Sequence, residues 1–118
     1  MSISKKQQEI VDLLVNGWTL RSHDERDPQR PPRPRTVIIK GEWTSTVDRR
    51  TILALERAGF IEAAEPQKHA QHYIVGGHTW EEWVTQHHLT EAGRAHSTPS
   101  DRPDLLFPSG YAMPSKDI

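Results

Sequence analysis

Seven histidines, sixteen Asp and Glu residues and no cysteine make up the reactive side chains of this 118-residue chain. The lack of thiols removes a disulfide framework, a thiolate zinc site and a cysteine nucleophile together. His87 and His88, with His72, His78 and His96 nearby, raise the question of zinc. Their spacing gives no helical His-x3-His pair. On a strand, neighbouring residues point to opposite faces, so His87 and His88 do not easily share one ion. One packed and one surface histidine is the expectation, with no metal and no cofactor. Trp80-Glu81-Glu82-Trp83 sets two carboxylates between indoles. Adjacent acids beside a turn face solvent, and nothing near them in sequence supplies a second acid–base group. Gly76-Gly77 reads as a hairpin turn, because neither a helix nor a Lys-Ser/Thr pair follows it as a phosphate loop requires. Spacing supports no Ser-His-Asp arrangement, although such triads are never visible as spacing alone. These residues predict no enzyme.

Arginine has the clearer pattern. Residues 28–57 hold seven basic groups (Arg30, Arg33, Arg35, Lys40, Arg49, Arg50, Arg57) against three acids (Glu42, Asp48, Glu56), whereas 58–96 hold two basic groups and five acids. With a net charge of -1, this asymmetry implies one basic face on a near-neutral body. A solvated charged surface is the bland alternative.

The elements that must position these groups follow from local signals. Ser4 and Gln7 have capping-box spacing, and Ile10, Val11, Leu13, Leu14 and Trp18 follow, giving an amphipathic helix over 5–16 stopped by Asn16-Gly17. Prolines 28, 31, 32 and 34 make 22–35 a long, polar Pro/Arg-rich loop. The β-prone runs Trp18–Leu20 and Thr36–Lys40 flank it and can pair as a hairpin. Thr44, Ser45 and Thr46 offer caps for a helix over Val47–Ala58. At about 100° per residue, Val47, Thr51, Leu55 and Ala58 share one side, with Ile52 at its margin, and Arg49, Arg50, Leu53, Glu56 and Arg57 the other. Gly59 ends that helix, and Phe60-Ile61-Glu62 leaves it as a buried extended segment. His72–Val75 and Trp83–Leu89 read as strands, and Thr90 caps a short helix reaching His96. Residues 97–118 read as a flexible tail with one apolar patch, Leu105-Leu106-Phe107. Length and a 34% apolar content suit one domain, over 3–96. A mean hydropathy of -0.75 leaves much of the surface in water. The N-terminus does not read as a signal peptide, and no apolar run approaches the roughly 20 residues that span a bilayer. A cytoplasmic protein with no membrane contact is expected.

Two stretches carry a resemblance. Thr46–Ile61 is similar to the recognition helix, and the apolar exit after its glycine, of winged-helix regulators of the multiple-antibiotic-resistance type. His88-Leu89-Thr90-Glu91-Ala92-Gly93-Arg94 is similar to their closing wing strand and following helix start. The resemblance covers residues 44–96 and implies an α+β winged-helix domain, a small helical bundle with a β-hairpin wing. The slot of the family's second helix holds the Pro-rich loop and a β-prone run from Thr36 to Trp43, so that helix is either missing or replaced by a hairpin. The resemblance implies double-stranded DNA as partner, transcription regulation and a homodimer, with the central helix in the major groove. By position, Thr46, Arg49, Arg50, Leu53 and Arg57 would face the groove. Lys68 and His69 would touch phosphate at a wing tip between Glu65 and Gln71. Arg33 and Arg35, with Arg30, would reach from the loop, and Lys40 would lie beside them. Leu53 among arginines, together with acids around the wing, keeps a second reading open: a phage or mobile-element winged helix that grips a protein partner as an inhibitor or adaptor.

Overall fold

The structure is a computed structural model that describes residues 3–29, 34–74 and 76–108. The first helix starts where the sequence offers a reciprocal cap. Ser4 Oγ accepts from the Gln7 amide at 3.1 Å, and Gln7 Oε1 accepts from the Ser4 amide at 2.9 Å. α1 (Lys5–Val15) buries Ile10, Val11 and Leu13 and ends at Asn16. Gly17 then turns the chain with φ 101°, a conformation that favours glycine. There follow β1 (Thr19–Arg26), β2 (Arg35–Lys40), β3 (Trp43–Val47), α2 (Arg49–Arg57), β4 (Ile61–Ala63), β5 (Gln67–Ile74), β6 (His78–Leu89) and α3 (Glu91–Ala95).

The strands form one antiparallel sheet in the order β3-β2-β1-β6-β4, with β5 beside the first half of β6. Register decides which side chains share a face. Leu20 stands opposite both Ile38 and His87, and Ile61 opposite Leu89. Cross-strand partners point the same way, so these residues line one face. Leu20, Ile38 and Ile61 pack there with Ile10, Val11, Leu13, Trp18, Ile52, Leu55 and Phe60 as the core. The other face presents Arg21, His23, Arg35, Thr44, Thr46, Gln86 and His88. No described helix packs over it. The thinnest dimension, 19 Å, fits a sheet and a single helical layer. Val37, on this second face, is 3% exposed but lies outside the core, walled in by its cross-strand neighbours Arg21 and Thr46.

The β5–β6 hairpin and the end of β1 extend past the core, which includes no residue between 67 and 84. This arm is laced by polar contacts. Lys68 pairs with Glu81 at 2.9 Å, the Arg26 guanidinium lies 4.0 Å over the Trp83 ring, and His72 stacks on Trp80 at 3.8 Å.

Several expectations are corrected. The chain does not form a small helical bundle with a β-hairpin wing: a six-stranded sheet dominates and the three helices are short. The slot before α2 is filled by the β2–β3 hairpin, turned at Gly41 with φ 60°. The β-branched Thr36, Val37, Ile38 and Ile39, followed by Thr44, Thr46 and Val47, suit a pleated strand better than a helix. The loop expected over 22–35 is shorter, because β1 continues to Arg26 by pairing with Glu81–His87. The turn of the last hairpin falls at Gly76-Gly77, so Lys68 and His69 lie within β5 and not at a tip.

The tail is not free either, as far as Pro108. The Thr98 and Ser100 amides donate to Asp12 Oδ1 at 2.8 Å and Asn16 Oδ1 at 2.7 Å. Trp18 Nε1 donates to the Leu106 carbonyl at 3.2 Å. The Phe107 ring meets Trp18 and Trp43 edge-on, at 6.1 and 5.5 Å. Residues 109–118 of the expected tail lie outside the described residues.

Candidate nucleic-acid interface

α2 begins at Asp48, whose carboxylate accepts from the Arg50 amide at 3.3 Å. Thr51, Ile52 and Leu55 are buried, which at about 100° per residue fixes the opposite stripe on Arg50, Leu53 and Arg57. Arg49 stands at its margin. Arg49, Arg50 and Arg57 are exposed, and Leu53 is 37% exposed. None of these guanidiniums pairs with a carboxylate among the described residues. The helix's own acid is occupied elsewhere: Glu56 Oε1 lies 3.1 Å from His87 Nδ1. Its charge is thereby held toward the body and away from the arginine stripe.

That contact belongs to a polar chain through the core. Ser22 Oγ lies 2.7 Å from His87 Nε2 and 3.0 Å from Thr36 Oγ1. Glu56 sits off the Nδ1–H axis, so its contact is electrostatic rather than a hydrogen bond. Which of Ser22 Oγ and His87 Nε2 donates is set by the tautomer of the ring. His87 is 6% exposed. Burial pushes its pKa below the ordinary 6.5, and the Glu56 charge offsets part of that fall. Glu56, His87 and Ser22 are the residue types of an acid–base–nucleophile triad. Here the hydroxyl is also tied to Thr36 and the imidazole is closed off by α2. A groove of about 760 Å³ lies elsewhere, between α1, β3 and the first turn of α2. The chain therefore joins α2 to the sheet. Spacing could not reveal it, since Ser22 and His87 are 65 residues apart.

The other sequence-predicted residues are dispersed. Thr46 and Arg35 are exposed on the sheet face away from the helices. Lys40 is committed to the body, its ammonium donating to the Pro103 carbonyl at 2.8 Å. Lys68 is paired with Glu81, whose pKa is lowered by hydrogen bonds from Lys68 and Trp83. His69 is exposed where the β5 register shifts. Arg30 and Arg33 fall outside the described residues. The structure thus brings together Arg49, Arg50, Leu53 and Arg57, and separates the rest from them. Sequence reasoning passed over Arg21 and His23; the polar run Arg21–Arg26 gave no apolar alternation to mark it as a strand.

Among the described residues, no three His, Asp or Glu side chains converge as a metal ion would require, and no helix is long and apolar enough to cross a membrane. Comparison with protein-family models, curated proteins and solved structures returns no match for this chain.

Proposed function

We propose that this is a non-enzymatic DNA-binding protein of the cytoplasm, a small bacterial or phage transcriptional regulator that lays the outer stripe of α2 against double-stranded DNA. One observation carries the reading: Arg49, Arg50 and Arg57 are exposed without carboxylate partners among the described residues, while Glu56, the acid that would oppose them, lies 3.1 Å from His87. An α-helix about 10–12 Å across fits a major groove about 12 Å wide, and the nine residues of α2 reach about 13 Å along it. Arg50 and Arg57 are suited to guanine edges or phosphates, and Leu53 between them to a thymine methyl. A helix this short covers only a half-site, so a homodimer is expected.

Fluorescence anisotropy with duplex DNA at two salt concentrations tests this. Three phosphate contacts give a log–log slope of about -2.7, or roughly a 40-fold loss of affinity from 50 to 200 mM salt. Replacing Arg50 or Arg57 by Ala removes about one unit of slope if the contact is to phosphate. It removes about 1–3 kcal/mol in a sequence-dependent way if the contact is to a base. No binding at 50 mM salt to random or self-promoter duplexes rejects the reading. Leu53, 37% exposed among the arginines, favours a protein partner as the second reading. In that case Leu53→Asp abolishes the interaction, and salt has little effect on it.

A further inference from the structure

The sheet face turned away from the helices holds a second group of cations. His23 on β1 and Arg35 on β2 are cross-strand partners. Arg21 lies two residues along β1, so all three side chains stand on one face of neighbouring strands. His69, from the irregular stretch of β5, is close enough to add its field at His23. Neither Arg21 nor Arg35 pairs with a carboxylate among the described residues. Arg21 Nε is moreover buried and makes no hydrogen bond. Of the acids on this face, Glu25 is on the same strand. Glu82 on β6 is the one that acts on His23, and it is drawn 3.3 Å from His72.

The two guanidiniums lie on the β1–β2 diagonal, Arg21 opposite Val37 and Arg35 opposite His23, with no carboxylate paired to either among the described residues. An oxyanion lying over β1 and β2 would neutralise the two guanidiniums. Two guanidinium forks and an imidazole offer more donors than one planar carboxylate can accept, and they match a tetrahedral anion.

We propose that Arg21, His23 and Arg35 form a phosphate-binding site on the open face of the sheet, taking a phosphate group carried by a nucleotide or by a nucleic-acid strand. The site is independent of α2. It lies on the other side of a sheet in a molecule 19 Å thick, so a duplex lying on the arginine stripe does not contact it. His23 reports occupancy. Burial and then the charges of Arg35, Arg21 and His69 hold its pKa below 6.5, with Glu82 opposing them. A bound anion reverses that field.

The experiment is an NMR titration of the His23 ring in chloride, in inorganic phosphate, with a nucleoside triphosphate and with a short single-stranded oligonucleotide lacking terminal phosphates, at matched ionic strength. Phosphate raises the His23 pKa by about one unit. Arg35→Gln, an exposed substitution, removes the effect, and Arg21→Gln does the same. A shift with the triphosphate and inorganic phosphate alone assigns the free ligand, and a shift with the oligonucleotide assigns the phosphodiester backbone. The same His23 titration in all four solutions overturns the proposal, as does a shift that survives in Arg35→Gln. Arg49→Ala/Arg50→Ala/Arg57→Ala keeps the His23 response, which separates failure of this site from failure of the α2 reading.

Discussion

Gly93→Ala sets two physical rules against each other. Gly93 is buried in the middle of α3, where alanine is normally the better helix former by about 1 kcal/mol. A Cβ at this position, however, would stand inside the van der Waals radius of the Phe60 carbonyl oxygen, with Leu89 Cδ2 at 2.9 Å and the Phe60 carbonyl carbon at 3.0 Å. A backbone carbonyl cannot swing aside as a side chain can, so α3 must lift. The Phe60 oxygen also accepts from the Thr90 amide at 3.0 Å, and Thr90 caps α3 by accepting from the Gly93 amide at 3.1 Å. Lifting the helix strains both bonds. Overpacking of about 3 kcal/mol and one weakened hydrogen bond of about 1 kcal/mol outweigh the propensity gain, leaving a net loss of about 3 kcal/mol. For a chain of this length the unfolding entropy makes 1 kcal/mol worth about 4 °C, so thermal melting by circular dichroism should fall by roughly 12 °C. A melting temperature that stays level or rises shows that α3 does not lie against the carbonyl of Phe60, and the packing of the last helix is then wrong.

Three further outcomes follow from other parts of the molecule. Both His87 and His23 have folded pKa values below the ordinary 6.5, so the unfolded chain binds more protons. Stability is therefore full above that value and falls as pH drops through it toward the folded values; denaturant midpoints at pH 7.5 and 5.5 should differ in that direction, and less so in His87→Gln. Removing the charge with Glu56→Gln lowers the His87 pKa further, which ring NMR reads directly; an upward move would mean that Glu56 does not face the imidazole. Phe107→Ala, taking away a half-buried ring between Trp18 and Trp43, should cost about 2 kcal/mol, below the range for fully buried aromatics, and shift the tryptophan emission.

What could be read from the sequence was local. The Ser4–Gln7 cap, the inward stripe of α2 and the opposite fates of His87 and His88 each depend on periods of a few residues, and each is present in the fold. What could not be read depended on partners distant in the chain. β1 beyond Leu20 is polar on both faces, and it is a strand because the Glu81–His87 segment of β6 supplies its ladder. Thr44, Ser45 and Thr46 are good capping types, but Asp48 takes that role and the three remain in β3. Leu106 and Phe107 look stranded in a proline-rich tail until two indoles and a tryptophan N–H are placed beneath them. The candidate stripe on α2 was legible because amphipathicity fixes direction. The grouping of Arg21, His23 and Arg35 on one sheet face was not, because it requires the β1–β2 register.

β6 runs through two environments. Its last residues lie under helices, whereas its first are held by β5 and the end of β1 alone. Backbone amides of 79–84 should therefore exchange with solvent through a partial opening that spares the core, while those of 85–89 wait for global unfolding. Trp80 and Trp83 ride on the part that loosens first, and Trp18 and Trp43 sit in the part that holds. The four indoles thus form two internal clocks, and a single intensity trace would merge two events into one.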